Sequence, residues 1–208
     1  MKIYTILPRG FGANAYAITT DNQTAIVIDP AAPRVLDELK KYNLIPVCVL
    51  LTHCHFDHVG GVAALQGEGA KVYCLDEELP LVGTKADMAA AFGASVPRYE
   101  VDKTLTDNEE VTLCGVQVKA LHTPGHTKGS CCYLFTAKDG GRYLFTGDTL
   151  FCDSVGRCDL ITGDSEQLND SLKRLLEIFK EDIPVLAGHG EPTTMDRERK
   201  HNPYLKNL

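Results

Sequence analysis

The chain has 208 residues, enough for one sizeable domain, and its 44% hydrophobic and 24% charged residues are the balance of an ordinary globular protein. The formal net charge is −7 with no Lys/Arg cluster, which argues against nucleic acid or anionic membranes as partners, because phosphate contacts need concentrated positive charge. No apolar run reaches the roughly 18 residues of a transmembrane helix, and MKIYTILPRGFGANAY has neither the apolar stretch nor the cleavage site of a signal peptide, so a cytoplasmic location is expected.

Residues 2–7, 14–20 and 24–29 are expected to be strands, short and β-branched, broken by PRGFG and DNQ. Pro33 opens a helix to about Tyr42, with Val35, Leu36 and Leu39 on one face. Residues 47–52 are almost continuously apolar, as a buried strand is. The pattern from Val59 to Leu65 predicts a helix, and Lys71–Leu75 a short strand. Residues 76–110 have no clean period; part is expected to be helix and part a mobile flap over a pocket. Strands follow at 111–113, 116–121, 131–136 and 142–147. Asp164 and Gln167 make a capping-box-like start for a helix through Phe179, whose core face is Leu168, Leu172, Leu175 and Leu176. Residues 184–187 read as a last buried strand. No repeat, low-complexity tract or linker divides the chain, so one domain over 1–208 is expected. Strand-rich blocks that open each half, followed by helices, suit two packed sheets with helices outside. The eight cysteines form no C-x-x-C pair, which argues against a zinc finger and favours reduced, mostly buried thiols.

Chemistry concentrates in Thr52-His53-Cys54-His55-Phe56-Asp57-His58, directly after a buried strand. Leaving an extended strand, residues i and i+2 point the same way, so His53 and His55 can grip one ion side by side. Asp57 and His58 lie where the chain turns into the next helix and face a neighbouring point. Neutral imidazole and carboxylate suit Zn²⁺ and comparable divalent ions. Four solvated loop residues would be the plainer reading, but this density after a buried strand speaks against it. His126, Asp148 and His189 each follow another apolar strand, and each lies beside or close to a glycine, which lets the backbone turn tightly near an ion. Singly each reads as a turn residue; the repeated strand-then-ligand pattern raises all three together, since strand carboxyl ends are where α/β folds place ligands.

The order T-H-x-H-x-D-H, then H, G-D and G-H across residues 52–189, resembles the metallo-β-lactamase superfamily. TPGHTKGS, FTGDTLF, the SVGRCDL…GD run and AGHGEPTT followed by NPYL narrow the likeness to the glyoxalase II-like (hydroxyacylglutathione hydrolase-like) branch in its short, single-domain form. The resemblance implies an α/β fold, a four-layer αββα sandwich with metals at one edge. It implies two divalent metal ions, zinc first, with iron or manganese as alternatives. His53, His55 and His126 would hold one, Asp57, His58 and His189 the other, and Asp148 would bridge them; Asp57 and Asp148 are the carboxylates of the implied catalytic centre. The implied activity is hydrolysis of hydroxyacyl-glutathione or a related small-molecule thioester through a metal-bridging hydroxide, because paired ions bring the pKa of a shared water towards about 7.

Several departures bear on the substrate. β-Lactamases of the best-known subclass carry Cys where this chain has Asp148, which argues against antibiotic hydrolysis. Full-length glyoxalase II has a further C-terminal helical region that helps bind glutathione; here only Gly190–Leu208 follow His189, so that region is expected to be missing. The family's Lys and Tyr in the loop after the bridging Asp become Arg157 and Asp159, and a Tyr two residues past the last His becomes Glu191. Arg157 is expected to meet a substrate carboxylate, which its planar fork suits, an ordinary loop Arg being the alternative. Glutathione thioesters are thus expected to be hydrolysed but weakly bound. His122 and His201 match no ligand position and are read as structural. Cys54 should point away from the metals, and Cys152 and Cys158 lie near the expected pocket without an assigned role. The chain also resembles the persulfide dioxygenases, through T-H-C-H-x-D-H and a G-R-x-D loop; these use one iron held by the equivalents of His53, His126 and Asp148. AGHGEPTT and the NPYL tail favour the hydrolase.

Overall fold

The structure, a computed structural model, describes residues 1–10, 12–206 and 208. Phe11, within the expected PRGFG break, lies outside them. The first sheet runs in chain order through β1 (Lys2–Ile6), β2 (Ala15–Thr19), β3 (Thr24–Ile28), β4 (Ile45–Leu50), β5 (Lys71–Leu75) and β6 (Lys103–Leu105). Helices α1 (Arg34–Lys41), α2 (Phe56–Val59) and α3 (Val62–Gly67) fall within this half. The second half supplies β7 (Glu110–Leu113), β8 (Val116–His122), β9 (Cys131–Thr136), β10 (Arg142–Gly147), a small ribbon of β11 (Leu150–Phe151) and β12 (Ser154–Val155), α4 (Ser165–Ile178), β13 (Pro184–Ala187), β14 (Thr193–Thr194) and α5 (Met195–His201). Its sheet has the order β14-β13-β10-β9-β8-β7.

Side-chain alternation along the strands generates the layers. On β2 and β3, Ala15, Ala17, Ala25 and Val27 face Val35, Leu39, Val62 and Leu65 of the first-half helices. Their neighbours Tyr16, Ile18, Ile26 and Ile28 face the other sheet and meet Val118, Tyr133, Phe135 and Phe145. The outer face of the second sheet, with Leu121, Cys132, Leu134 and Leu144, packs on Leu168, Leu172 and Leu175 of α4. Each large apolar side chain fully buried this way contributes about 1.5–3 kcal/mol, which is why the central strands are apolar on both faces. Helix, sheet, sheet and helix make the αββα sandwich. Among the described residues no helix is long and apolar enough to cross a membrane.

The helix expected over Val59–Leu65 is two helices, α2 and α3. The chain breaks at Gly60-Gly61 because it passes against residues 30–32: a Cβ on either glycine would collide with the carbonyl oxygen of Ala31 or Ala32. Residues 76–110 carry short 3₁₀ turns at Leu79–Leu81, Lys85–Asp87 and Ala90–Phe92, then β6, which pairs in parallel with β5 through Tyr73 and Lys103. Three residues are too few to leave a strand period in sequence. At α4, Asp164 accepts the N–H groups of Glu166 and Gln167 at 2.9 and 3.0 Å, and the Gln167 amide donates back to it at 3.0 Å.

The topology also fixes where loops meet. β3 and β4 are parallel, so Ile28 and Leu50 end side by side. β10 and β13 are parallel, and β8 runs the same way because each of β8 and β10 is antiparallel to β9. Within each sheet the carboxyl ends of these strands therefore lie at one edge. The Cys131 N–H donates to the Thr52 carbonyl at 2.9 Å, which ties the two sheets there.

Candidate metal centre

Asp29 leaves β3 with φ 47°, a left-handed turn that aims its carboxylate at the loop after β4. Oδ1 accepts the Thr52 N–H at 2.8 Å, and Oδ2 accepts the Thr52 hydroxyl at 2.6 Å and His58 Nδ1–H at 2.9 Å. A carboxylate only accepts, so the proton of His58 sits on Nδ1 and Nε2 is turned towards Asp148, 3.2 Å from its Oδ1. His126 is held in the same way, with Nδ1 2.7 Å from the Arg157 carbonyl oxygen.

His53, His55 and His126 form a near-equilateral triangle, with ring centroids 4.7, 4.7 and 4.6 Å apart. Asp57, His58 and His189 gather beside it, with His189 Nε2 3.3 Å from Asp57 Oδ2. Asp148 lies between the sets: its Oδ2 is 3.5 Å from His126 Nε2 and 3.4 Å from His189 Nε2. The structure thus gathers all seven residues that sequence reasoning nominated as ligands. It leaves His122 outside, next to the Lys128 carbonyl, and His201 exposed on α5.

Whether these residues fit metal ions is tested by their unused atoms. Among the described residues, Nε2 of His53, His55 and His58 and Oδ1 of Asp148 are buried without a hydrogen-bond partner, the close His58–Asp148 approach not being aligned as a hydrogen bond. An unpaired buried polar atom costs about 1–3 kcal/mol. In the first set His55 Nδ1 and His126 Nε2 lie 2.8 Å apart, and in each set one ligand atom per residue lies within 4.8 Å of the others, which makes a donor set for divalent cations. Burial drives His55 down to about 3 and His53 well below the ordinary imidazole value, with neighbouring imidazoles adding to both; burial also lowers His126. These three are neutral and ready to donate lone pairs. At His58 burial pulls down too, but the Asp148 and Asp29 charges outweigh it and hold the ring well above its usual value. At His189, hydrogen bonds to Asp148 and Asp57 overcome burial and raise it to about 9. A cation entering the second set displaces those protons.

Sequence reasoning missed two supports. Asp29 ends the 24–29 run that reads as a strand and is given no role from sequence. Glu78 sits in the acidic run Asp76-Glu77-Glu78, at the start of the stretch without a clean period, and it is fully buried. Its Oε1 accepts the Cys54 N–H at 2.7 Å, and Oε2 accepts the Thr127 hydroxyl at 2.8 Å and the Gly129 N–H at 3.1 Å. Glu78 thereby ties the loop of His53 and His55 to that of His126. In Glu78→Gln an amide NH₂ must face one of those donors. Metal affinity at the three-histidine set is expected to fall about 10–100-fold, read by chelator competition, with the far-UV circular dichroism unchanged. Unaltered affinity would contradict this role.

A cavity of about 700 Å³ opens over the centre, with His55, Asp57, His126, Asp148 and His189 on its floor. Arg157 lines it, but its Nε and Nη2 take both oxygens of Asp159 at 2.6 and 2.7 Å. Cys54 is buried, Cys158 packs towards the α4 core, and Cys152 lines a separate hollow with Gly190 and Glu191.

Residues 8–190 match the metallo-beta-lactamase superfamily. Hydroxyacylglutathione hydrolase GloC of Haemophilus influenzae is 33% identical over 217 residues, covering 99% of this chain and 98% of that protein. The crystal structure of BLEG-1 B3 metallo-beta-lactamase superposes with a TM-score of 0.88 at 32% identity, covering 98% of this chain and 99% of that one. TTHA1623 in a di-iron-bound form superposes with a TM-score of 0.83 at 37% identity, covering 97% and 100%. Likenesses that run nearly the full length of both partners are more than a shared fragment: the chain belongs to the metallo-beta-lactamase superfamily.

Proposed function

We propose that this chain is a two-metal thioester hydrolase acting on hydroxyacyl-glutathione or related small thioesters. The observation that carries the reading is Asp148, whose carboxylate lies within 3.5 Å of an imidazole nitrogen from each ligand set and so joins the two on one cavity floor. His53, His55 and His126 would hold one divalent ion and Asp57, His58 and His189 the other, with Asp148 shared. Zinc is the metal we favour, and the di-iron form of TTHA1623 supports iron as the alternative. Such ions supply a water of lowered pKa and a Lewis acid for the carbonyl oxygen.

The chain's own residues do the rest. Burial keeps three imidazoles neutral. Asp29 and the Arg157 carbonyl fix the ring orientation of His58 and His126, so the ligand nitrogens need no reorganisation when substrate arrives. The cavity walls hold the acyl carbon over the floor. Water oxygen bonds to that carbon, the C–S bond breaks, and the thiolate leaves and takes up the water's proton. The full-length likeness to GloC supports a thioester. The likeness to BLEG-1 favours a second reading, β-lactam hydrolysis, despite Asp148 standing where the best-known β-lactamases have Cys.

Metal-analysed protein should therefore be assayed with S-lactoylglutathione, with a chromogenic cephalosporin, and with glutathione persulfide under an oxygen electrode. Thiol release with a high KM and a larger kcat/KM than for the cephalosporin is expected. Turnover of the cephalosporin alone, or oxygen consumption without thiol release, would overturn the reading.

A further inference from the structure

The walls of the cavity differ sharply from its floor. Phe56 stacks on Phe92 with centroids 5.3 Å apart and planes at 28°, and Met88 lines the same cavity. From the second half of the chain, Phe151, Val155 and Leu160 line it as well. The apolar surface begins at the centre itself. Phe56 falls between His55 and Asp57 in the chain, and the Phe151 ring lies edge-on to His189 with centroids 5.9 Å apart. It ends at the rim, where Phe92 is 56% exposed. Among the described lining residues the one cation besides histidine is Arg157, committed to Asp159 by two hydrogen bonds. A glutathione carboxylate would have to compete with Asp159 for Arg157, whereas an apolar group attached to the reacting carbonyl carbon meets Phe56, Phe92, Phe151, Val155 and Leu160.

We propose that the chain selects thioesters with an apolar acyl chain, seated against the Phe56–Phe92 stack and Phe151, Val155 and Leu160. The proposal rests on the thioester-hydrolase reading and names its substrate class. Specificity then lies in the acyl half, and the thiol half can be neutral. Hydrolysis is unchanged in form: water oxygen bonds to the acyl carbon, the C–S bond breaks, the thiol takes up the proton, and nothing is oxidised.

The test is a series of acyl thioesters of one neutral thiol, N-acetylcysteamine, from acetyl through butyryl to hexanoyl, with lactoyl and benzoyl beside them. kcat/KM should rise about fourfold per added methylene, the factor given by burying one methylene, until the chain passes the rim. Phe92→Ala should lower the hexanoyl-to-acetyl ratio about tenfold, and Phe92→Leu should restore most of it. A ratio near one in the unaltered protein, or a strong preference for lactoyl over butyryl, would overturn the selectivity while leaving the hydrolase reading in place. Turnover of S-lactoylglutathione at low-micromolar KM with no turnover of neutral thioesters would overturn it too, by showing a glutathione site. Turnover of no thioester at all would overturn both.

Discussion

Asp148→Ala is expected to lower thioester hydrolysis by about 10³-fold or more. A Lewis-acid ion contributes several kcal/mol to the transition state, and about 4 kcal/mol is a thousandfold. Asp148 reaches both ligand sets from the cavity floor, 3.2 Å from His58 and 3.4–3.5 Å from His189 and His126. Without it the sets are no longer joined, and bound metal should fall to one per chain or less. The control is His201→Ala, on the exposed face of α5, which should leave the rate within about twofold and the metal content unchanged. Equal losses in both variants would show that the centre is misplaced.

Asp29→Asn should strike the second ligand set hardest, since Asp29 touches His58 directly and reaches His53 only through the Thr52 hydroxyl, 3.1 Å from His53 Nδ1. The native carboxylate accepts from the Thr52 N–H, the Thr52 hydroxyl and His58 Nδ1–H. An asparagine presents its NH₂ where Oδ2 was. His58 can satisfy that amide only by accepting at Nδ1, which moves its own proton to Nε2 and closes the lone pair aimed at Asp148. Affinity for the second ion should fall about 10–100-fold, as for other groups that orient a metal-binding histidine. Leaving a buried donor unmatched should also lower stability by about 1–3 kcal/mol. Stepwise metal titration by calorimetry separates these effects: the first binding step should persist and the second weaken. Two unaltered steps would remove Asp29 from the centre.

The ligands were legible because each group follows an apolar strand: His53 and His55 directly after β4 with Asp57 and His58 on the short helix behind them, and His126, Asp148 and His189 each beside a glycine, a pattern held within a few consecutive residues. Their partners were not. Asp29 lies 23 residues before Thr52, and the two meet only because β3 and β4 pair in parallel with Ile28 opposite Leu50. Glu78 reaches Cys54 and Thr127 across 24 and 49 residues, and nothing in its local sequence points to either partner. The break at Gly60-Gly61 likewise depends on the backbone at Ala31 and Ala32, which nothing in VGGVAAL announces. Within 76–110, 3₁₀ turns of three residues are too short to give a period, although Met88 and Phe92 from that stretch line the cavity. Arg157 was chosen for its fork; its pairing depends on a partner two residues on, Asp159, which already fills it.

The proposal of a two-metal hydrolase is tested most directly by counting metal. Protein stripped with chelator, reloaded stepwise with Zn²⁺ and freed of excess should bind two ions per chain by elemental analysis, and thiol release from a thioester should reach its full value only with the second equivalent. Saturation at one ion per chain, with full activity at that point, would contradict it.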